Sequence, residues 1–210
     1  MELIGGGQTM SWQGTIRYGI DSAPGGLGFV QDLLNTQSAG KPRAKDLLDE
    51  ADDAQAWLDA GLAEWSRTTG KAPVAVELGP RDLRELRRFR SDLKLALGTG
   101  NNDPADNPDT PAHPFRTATT QLRLGPDGRV SAEPRGAGVR QIESLMLVEI
   151  FEAQLTDTWR RLKTCRNDRC QAAFFDRSRN NSGVWHDVRV CGHAENLRAH
   201  RARKRAVHLV

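Results

Sequence analysis

The chain has 210 residues, 38% hydrophobic and 27% charged, with a formal net charge of +3, which allows one good core plus a small appendage but not two full-sized domains. This balance excludes wholesale disorder, and no run of eighteen apolar residues is available to span a bilayer. Met1–Gly7 lacks the basic start and apolar stretch of a secretory leader, so a cytoplasmic protein without membrane attachment is expected.

Residues 1–24 are weakly patterned and predict an irregular lead-in. Leu27, Val30, Leu33 and Leu34 keep helical spacing. From Asp46 a polar loop runs into a helix whose buried side is Ala54, Trp57 and Leu58, with Gly61 as its expected C-cap. Pro80 suits a first helical turn and opens a stripe of Leu83, Leu86, Phe89, Leu93 and Leu97 that Gly98 is expected to end. Residues 98–114 are nearly all turn formers and read as an exposed loop. Phe115–Leu124 alternates like a strand, Gly125–Gly128 turns the chain, and Arg129–Glu133 returns it, a β-hairpin. Gly138–Leu162 predicts one long helix, apolar around most of its middle and so central and buried, which delivers the chain to Cys165.

The chain's three cysteines fall in one window with a histidine between the last two: Cys165-x4-Cys170, then His186-x4-Cys191. Three is an odd number that fits a disulfide framework poorly and a reduced setting with metal ligation better. Tetrahedral zinc takes four sulfur or nitrogen ligands, usually as two close pairs, and four protein ligands leave no open position. The expectation is therefore one structural Zn2+ on Cys165, Cys170, His186 and Cys191, with His193 as the alternative fourth ligand. Between the pairs Gln171–Phe175 reads as a strand, Asp176–Gly183 is turn-rich, and Trp185 is placed to shield the metal. So small a unit cannot fold on apolar burial alone, and the metal would supply the missing free energy.

Charge is divided along the chain. From Arg160 to Val210 thirteen Lys or Arg stand against four acids, a net of +9, which leaves −6 on the preceding residues; such asymmetry points to a polyanion at one end. Glu195–Arg205 can continue as one helix, on which Arg198, Arg201 and Arg205 share a face with Arg203 and Lys204 beside them. With Arg189 and His200 these are the candidate nucleic-acid contacts, able to bind phosphates through counterion release. The expected fold class is α+β: a helix-rich N-terminal domain with a small antiparallel sheet over 25–162, then a small zinc-ribbon-like finger and basic helix over 163–210.

Several local motifs of the finger resemble the CGNR-type zinc finger: Cys165-x4-Cys170, Phe174-Phe-Asp-Arg-Ser-Arg179, Val184-Trp-His186, Cys191-Gly192 and Leu197-Arg-Ala-His-Arg-Ala-Arg203. The region from Gly28–Thr36 through Trp57–Leu58 to the long helix is similar to the ABATE domain that precedes this finger in its family. The resemblance implies a bacterial-type, stress-induced transcription regulator that binds nucleic acid and catalyses nothing. Three positions depart from the family pattern: His186 stands where a cysteine is usual, His193-Ala194 replace Asn-Arg, and Asn196 replaces a lysine.

DNA is the expected partner. The alternative is an interaction module whose finger and basic helix dock on an acidic protein surface, a homodimer or protein partner being left open. RNA binding through exposed Phe174 or Trp185 is a third reading. No His-Glu-x-x-His, phosphate-loop or Gly-x-Ser-x-Gly motif occurs, and His113 is the sole histidine before the finger, so no enzyme is expected.

Overall fold

The computed structural model describes residues 12–37, 44–100 and 116–207; the side chains of 99, 100, 199, 200, 202 and 205–207 lie outside that description. Within it the chain forms α1 (Gln13–Ile16), α2 (Leu27–Asn35), α3 (Ala51–Thr69), α4 (Pro80–Gly100), β1 (Thr120–Leu124), β2 (Val130–Pro134), α5 (Val139–Leu155), β3 (Leu162–Thr164), β4 (Ala173–Phe175) and α6 (His193–Val207). The strands make two antiparallel ribbons, β1 with β2 and β3 with β4, in which Leu122 faces Ala132 and Lys163 faces Phe174. Helices with small antiparallel sheets are the α+β class the sequence predicts. No described helix is long and apolar enough to cross a membrane.

Apolar spacing builds the main core. Phe29 of α2 lies between Trp12 and Trp57, with ring centroids 5.8 Å away on either side. Trp65, Leu86, Phe89, Ile142, Leu145 and Met146 complete a cluster without solvent contact. Each such side chain contributes about 1.5–3 kcal/mol by burial. All nine residues of α2 are buried, so its polar members must find partners inside. Asp32 accepts from the Thr15 amide at 2.7 Å and from Trp57 Nε1 at 2.8 Å. Burial pushes its carboxyl up against those hydrogen bonds. Arg17 donates to the carbonyls of Asn35 and Gln37 at the C-terminal end of α2, where a cation is favoured.

Four expectations are corrected. The lead-in is ordered from Trp12 onward: a helical turn forms at α1, and Trp12 and Ala23 enter the main core. Residues 1–11 lie outside the described residues. α3 runs past Gly61 to Gly70, whose φ of +68° makes the left-handed C-cap. Gly61 serves packing instead, since a Cβ there would stand 2.5 Å from the Phe29 ring. α4 continues beyond Gly98 to Gly100, and most of the expected loop after it lies outside the described residues.

The long helix stops at Leu155, seven residues early, and only Trp159–Arg161 regain a helical turn before β3. The Thr156 and Thr158 hydroxyls both take the Ala153 carbonyl, and Asp157 turns left-handed at φ +57° with its carboxylate on Arg160. Such local bonds compete with helix continuation. α5 is buried through Ile142, Leu145 and Met146 but exposes Phe151 and Leu155, so the wholly buried helix is α2.

Packing does not break where the finger begins. Leu162 of β3 and Ala173 of β4 belong to the main core cluster. The Asn35 side chain grips Ala173 as a neighbouring strand would, accepting from its N–H at 2.8 Å and donating to its carbonyl at 2.9 Å.

Candidate metal centre

β3 ends one residue before Cys165, whose amide bonds the Ala172 carbonyl at 2.9 Å. The intervening turn is closed by the Cys170 and Gln171 amides, both donating to the Asn167 carbonyl at 2.7 and 3.0 Å. Gln171, left-handed at φ +52°, sends the chain back into β4. Beyond β4 the Asp176 carboxylate accepts from the Ser178 and Gly183 amides and from Lys163 Nζ, and that ammonium also reaches the carbonyls of Asn181 and Gly183. Burial opposes ionisation of Asp176, but Lys163 and these amides overcome it and hold the carboxyl well below its ordinary value. The turn-rich loop is thereby shaped around one buried ion pair, which returns Val184–His186 to the first knuckle through an Arg166 N–H to Val184 carbonyl bond at 3.0 Å.

Of the second pair, His186 lies just before Asp187 and Cys191 sits on a π-helical turn, Val188–Gly192, started by Asp187, whose carboxylate accepts from the amides of Arg189 and Val190. A Cβ at Gly192 would approach the Trp185 ring and Val188 at 3.3 Å, so a larger residue after Cys191 would require those side chains to give by a few tenths of an ångström. α6 leaves directly from this turn.

Cys165, Cys170, His186 and Cys191 are thus brought together, their donor atoms all within 4.8 Å of one another. His186 Nδ1 stands 3.3 Å from the Cys170 sulfur and 3.6 Å from that of Cys191. Tetrahedral zinc, with bonds of about 2.3 Å to sulfur and about 2.0 Å to nitrogen, separates its donors by about 3.5–3.8 Å. The geometry and chemistry of this set fit one structural zinc ion. His193, the alternative ligand, is exposed at the start of α6.

The second shell is already oriented. The charged form of each sulfur is favoured by its neighbours, the backbone of Asn167 and His186 beside Cys165, that of Ala172 beside Cys170 and the Asn167 side chain beside Cys191. Cys165 is held well below the usual thiol range, first by the Cys170 thiol donating to it and then by His186, against burial. Cys170 is pushed up by that neighbouring sulfur and by burial, and Cys191 is raised chiefly by burial. A divalent cation removes this competition by keeping all three sulfurs ionised. Three thiolates, a neutral imidazole and Zn2+ leave one negative charge. Lys94 of α4 lies within its electrostatic reach; burial first and Arg90 second push that ammonium down to about 8, while Asp46 and Cys170 pull it up.

Cys165, Cys170 and Cys191 are joined in one apolar cluster by Ala172 and Phe174, with Tyr18, Ile20 and Trp185 packed on it. Phe174 is buried and Trp185 half-buried, which removes the exposed aromatic platform that the RNA reading requires. Of the candidate nucleic-acid contacts, Arg189, Arg201, Arg203 and Lys204 are exposed. Arg198 is half-buried and bonded to Asn167 and Glu195. The side chains of His200 and Arg205 lie outside the described residues.

Sequence reasoning missed Asn167, the Lys163–Asp176 pair and the Asn35 grip. An Asn two places after a ligand cysteine was the one available signal, because its short amide readily bonds backbone two residues on.

A family model, the CGNR zinc finger, matches residues 161–204. This range holds all four donors and most of α6. No curated protein matches the chain.

Proposed function

We propose that the chain is a DNA-binding transcription regulator, cytoplasmic and without catalytic activity, whose zinc finger presents α6 to the phosphate backbone. The observation that carries this reading is the placement of Arg201, Arg203 and Lys204, all exposed on a helix that starts at the residue after the Cys191–Gly192 turn. Arg189 is exposed on that turn, and Arg166 and Arg169 are exposed on the first knuckle. Three segments gathered by one metal therefore display cations outward, which suits phosphate contact. The N-terminal region, with its ABATE-like pattern, is read as the part that senses a signal or pairs with a second copy.

Titrating zinc-loaded protein against duplex DNA at several salt concentrations tests this. Affinity should fall steeply with salt, with a slope of about 0.9 per phosphate contacted, and Arg201→Ala should reduce that slope by about one. Absent or salt-independent binding would reject it. A second reading draws on exposed Val188, Val190 and Leu197 beside the same cations: a mixed apolar and basic surface also suits an acidic protein partner. Loss of a protein complex in Arg201→Ala/Lys204→Ala, with DNA affinity unchanged, would favour it.

A further inference from the structure

Among its described side chains, the basic helix carries one arginine that is turned back onto the finger. Arg198 Nη2 donates to Asn167 Oδ1 at 2.9 Å, and its other terminal nitrogen pairs with Glu195 one turn earlier on α6. Asn167 is only 5% exposed although it lies midway along the Cys165–Cys170 turn. Its Oδ1 also accepts from the Arg169 amide at 3.1 Å, so that oxygen takes two donors at once. Its carbonyl accepts from the Cys170 and Gln171 amides and so closes the turn that aims Cys170. One residue thus closes the first knuckle with its carbonyl and holds α6 with its side-chain oxygen.

We propose that Asn167 is an outer-shell residue of the zinc site and that, through Arg198, it forms a strut fixing the direction in which α6 leaves the metal. α6 starts on a turn whose other anchor is the Asp187 cap, and from Arg201 onward its described side chains are exposed. Without a tie near its middle the helix could pivot about the Cys191 turn and spread its cations over many directions. Arg198 suits the tie because its planar fork reaches two acceptors at once, which a lysine ammonium on a flexible stem does not reproduce. An outer-shell group that holds the backbone of a ligand turn fixes the orientation of the ligand itself. The same Oδ1 takes Arg198 of α6 and the Arg169 amide of the knuckle, so knuckle and helix are coupled through one side chain. Arg198 is therefore a positioning residue, separate from the phosphate-facing Arg201, Arg203 and Lys204. This inference about DNA geometry rests on the reading above, but the strut itself does not.

The test uses the full chain with zinc bound, as wild type, Asn167→Ala, Arg198→Ala, Arg198→Lys and the double alanine variant. Competition with a chromophoric chelator reads zinc affinity, and hydrogen–deuterium exchange reads the α6 amides. Asn167→Ala should weaken zinc binding about ten- to a hundredfold, as loss of an outer-shell partner does. Arg198→Ala should weaken it less, and the double variant no more than Asn167→Ala alone, because the two act in series. At saturating zinc Arg198→Ala should raise exchange across the first two turns of α6 several-fold, and Arg198→Lys should restore little of the protection. Against DNA, Arg198→Ala should lose affinity while its salt slope stays that of the wild type.

Unchanged zinc affinity in Asn167→Ala, or unchanged α6 exchange in Arg198→Ala, overturns the strut. A salt slope reduced by about one in Arg198→Ala also does so, by making Arg198 a phosphate contact. A wild type that binds no DNA rejects the nucleic-acid reading alone, and the zinc and exchange measurements still decide the strut.

Discussion

The helical region and the finger solve the same problem with different chemistry. Around Phe29 the chain gathers Trp12, Trp57, Trp65, Phe89 and a set of leucines, enough apolar surface to hold four helices. Around Cys191 the apolar cluster has only Ala172 and Phe174 besides the three cysteines, with Tyr18, Ile20 and Trp185 laid over it. The first region is held by burial. The second is held by ligand geometry and by a buried ion pair, Lys163–Asp176, that shapes its loop. They are nevertheless not independent, since Asn35 of the first region grips Ala173 of the second.

Metal removal should separate the two regions most sharply. Chelation, or Cys165→Ser, withdraws on the order of 10 kcal/mol from the finger. Exchange protection over 162–192 should vanish, while α2, α3 and α4 keep measurable though reduced protection because Leu162 and Ala173 lie in their core. Complete collapse of both regions would show that the helical core cannot stand without the finger. Elemental analysis of the intact chain should give one zinc per chain, and a value near zero would remove the basis of the contrast.

Phe29→Ala should act in the opposite direction, costing about 3–5 kcal/mol by opening a cavity between two tryptophans. It should lower the urea midpoint of the helical transition and leave zinc stoichiometry at one. Loss of zinc in this variant would mean that the core builds the finger as well as supporting it.

Asp46→Asn probes the electrostatics of the helical region without touching the metal. Asp46 and Arg90 are joined by two bonds of 2.7 Å in a buried setting, and removing one partner of such a pair costs about 3 kcal/mol or more. Burial works against ionisation of Asp46, yet Arg90 and the Leu48 amide outweigh it and set the carboxyl below its ordinary value. A depressed carboxyl stabilises the folded state fully above the unfolded value of about 3.9 and loses that contribution as pH falls through the folded value. The stability gap between wild type and Asp46→Asn should therefore be constant from pH 8 to about 5 and narrow below about 4. A gap that already narrows near neutrality would assign it to another group.

The mildest change tests the joint itself. Asn35→Ala strands the amide of buried Ala173, at about 1–3 kcal/mol for the unsatisfied group, while the carbonyl keeps its bond from the Gln31 side chain. Both regions should weaken together in one denaturation profile. A loss confined to the finger would make the grip local to β4.

The metal ligands were readable because cysteine and histidine are scarce here and zinc demands them in close pairs; paired spacing survives any tertiary arrangement. Helices with one regular apolar stripe were also legible, as at Leu83–Leu97, and so was the Gly125–Gly128 hairpin. Where the reading went astray, a contact distant in sequence had overruled a local signal. Gly61 looks like a helix end but is a gap for the Phe29 ring. Residues 12–24 look irregular but carry Trp12 into the core and lay Tyr18 and Ile20 on the finger. The stop after Leu155 turned on two threonine hydroxyls sharing one carbonyl, which no periodicity records.

The sequence alone determined which four side chains can hold zinc, that a cationic helix follows them, and that a helical core precedes them, because these depend on residue type and short spacing. Tertiary structure alone decided that Arg198 faces Asn167 while Arg201, Arg203 and Lys204 face outward, and that β4 is clamped into the helical core. Those outcomes depend on hydrogen bonds between residues 31 and 138 positions apart, and a fixed approach over such distances exists only once the whole chain has packed.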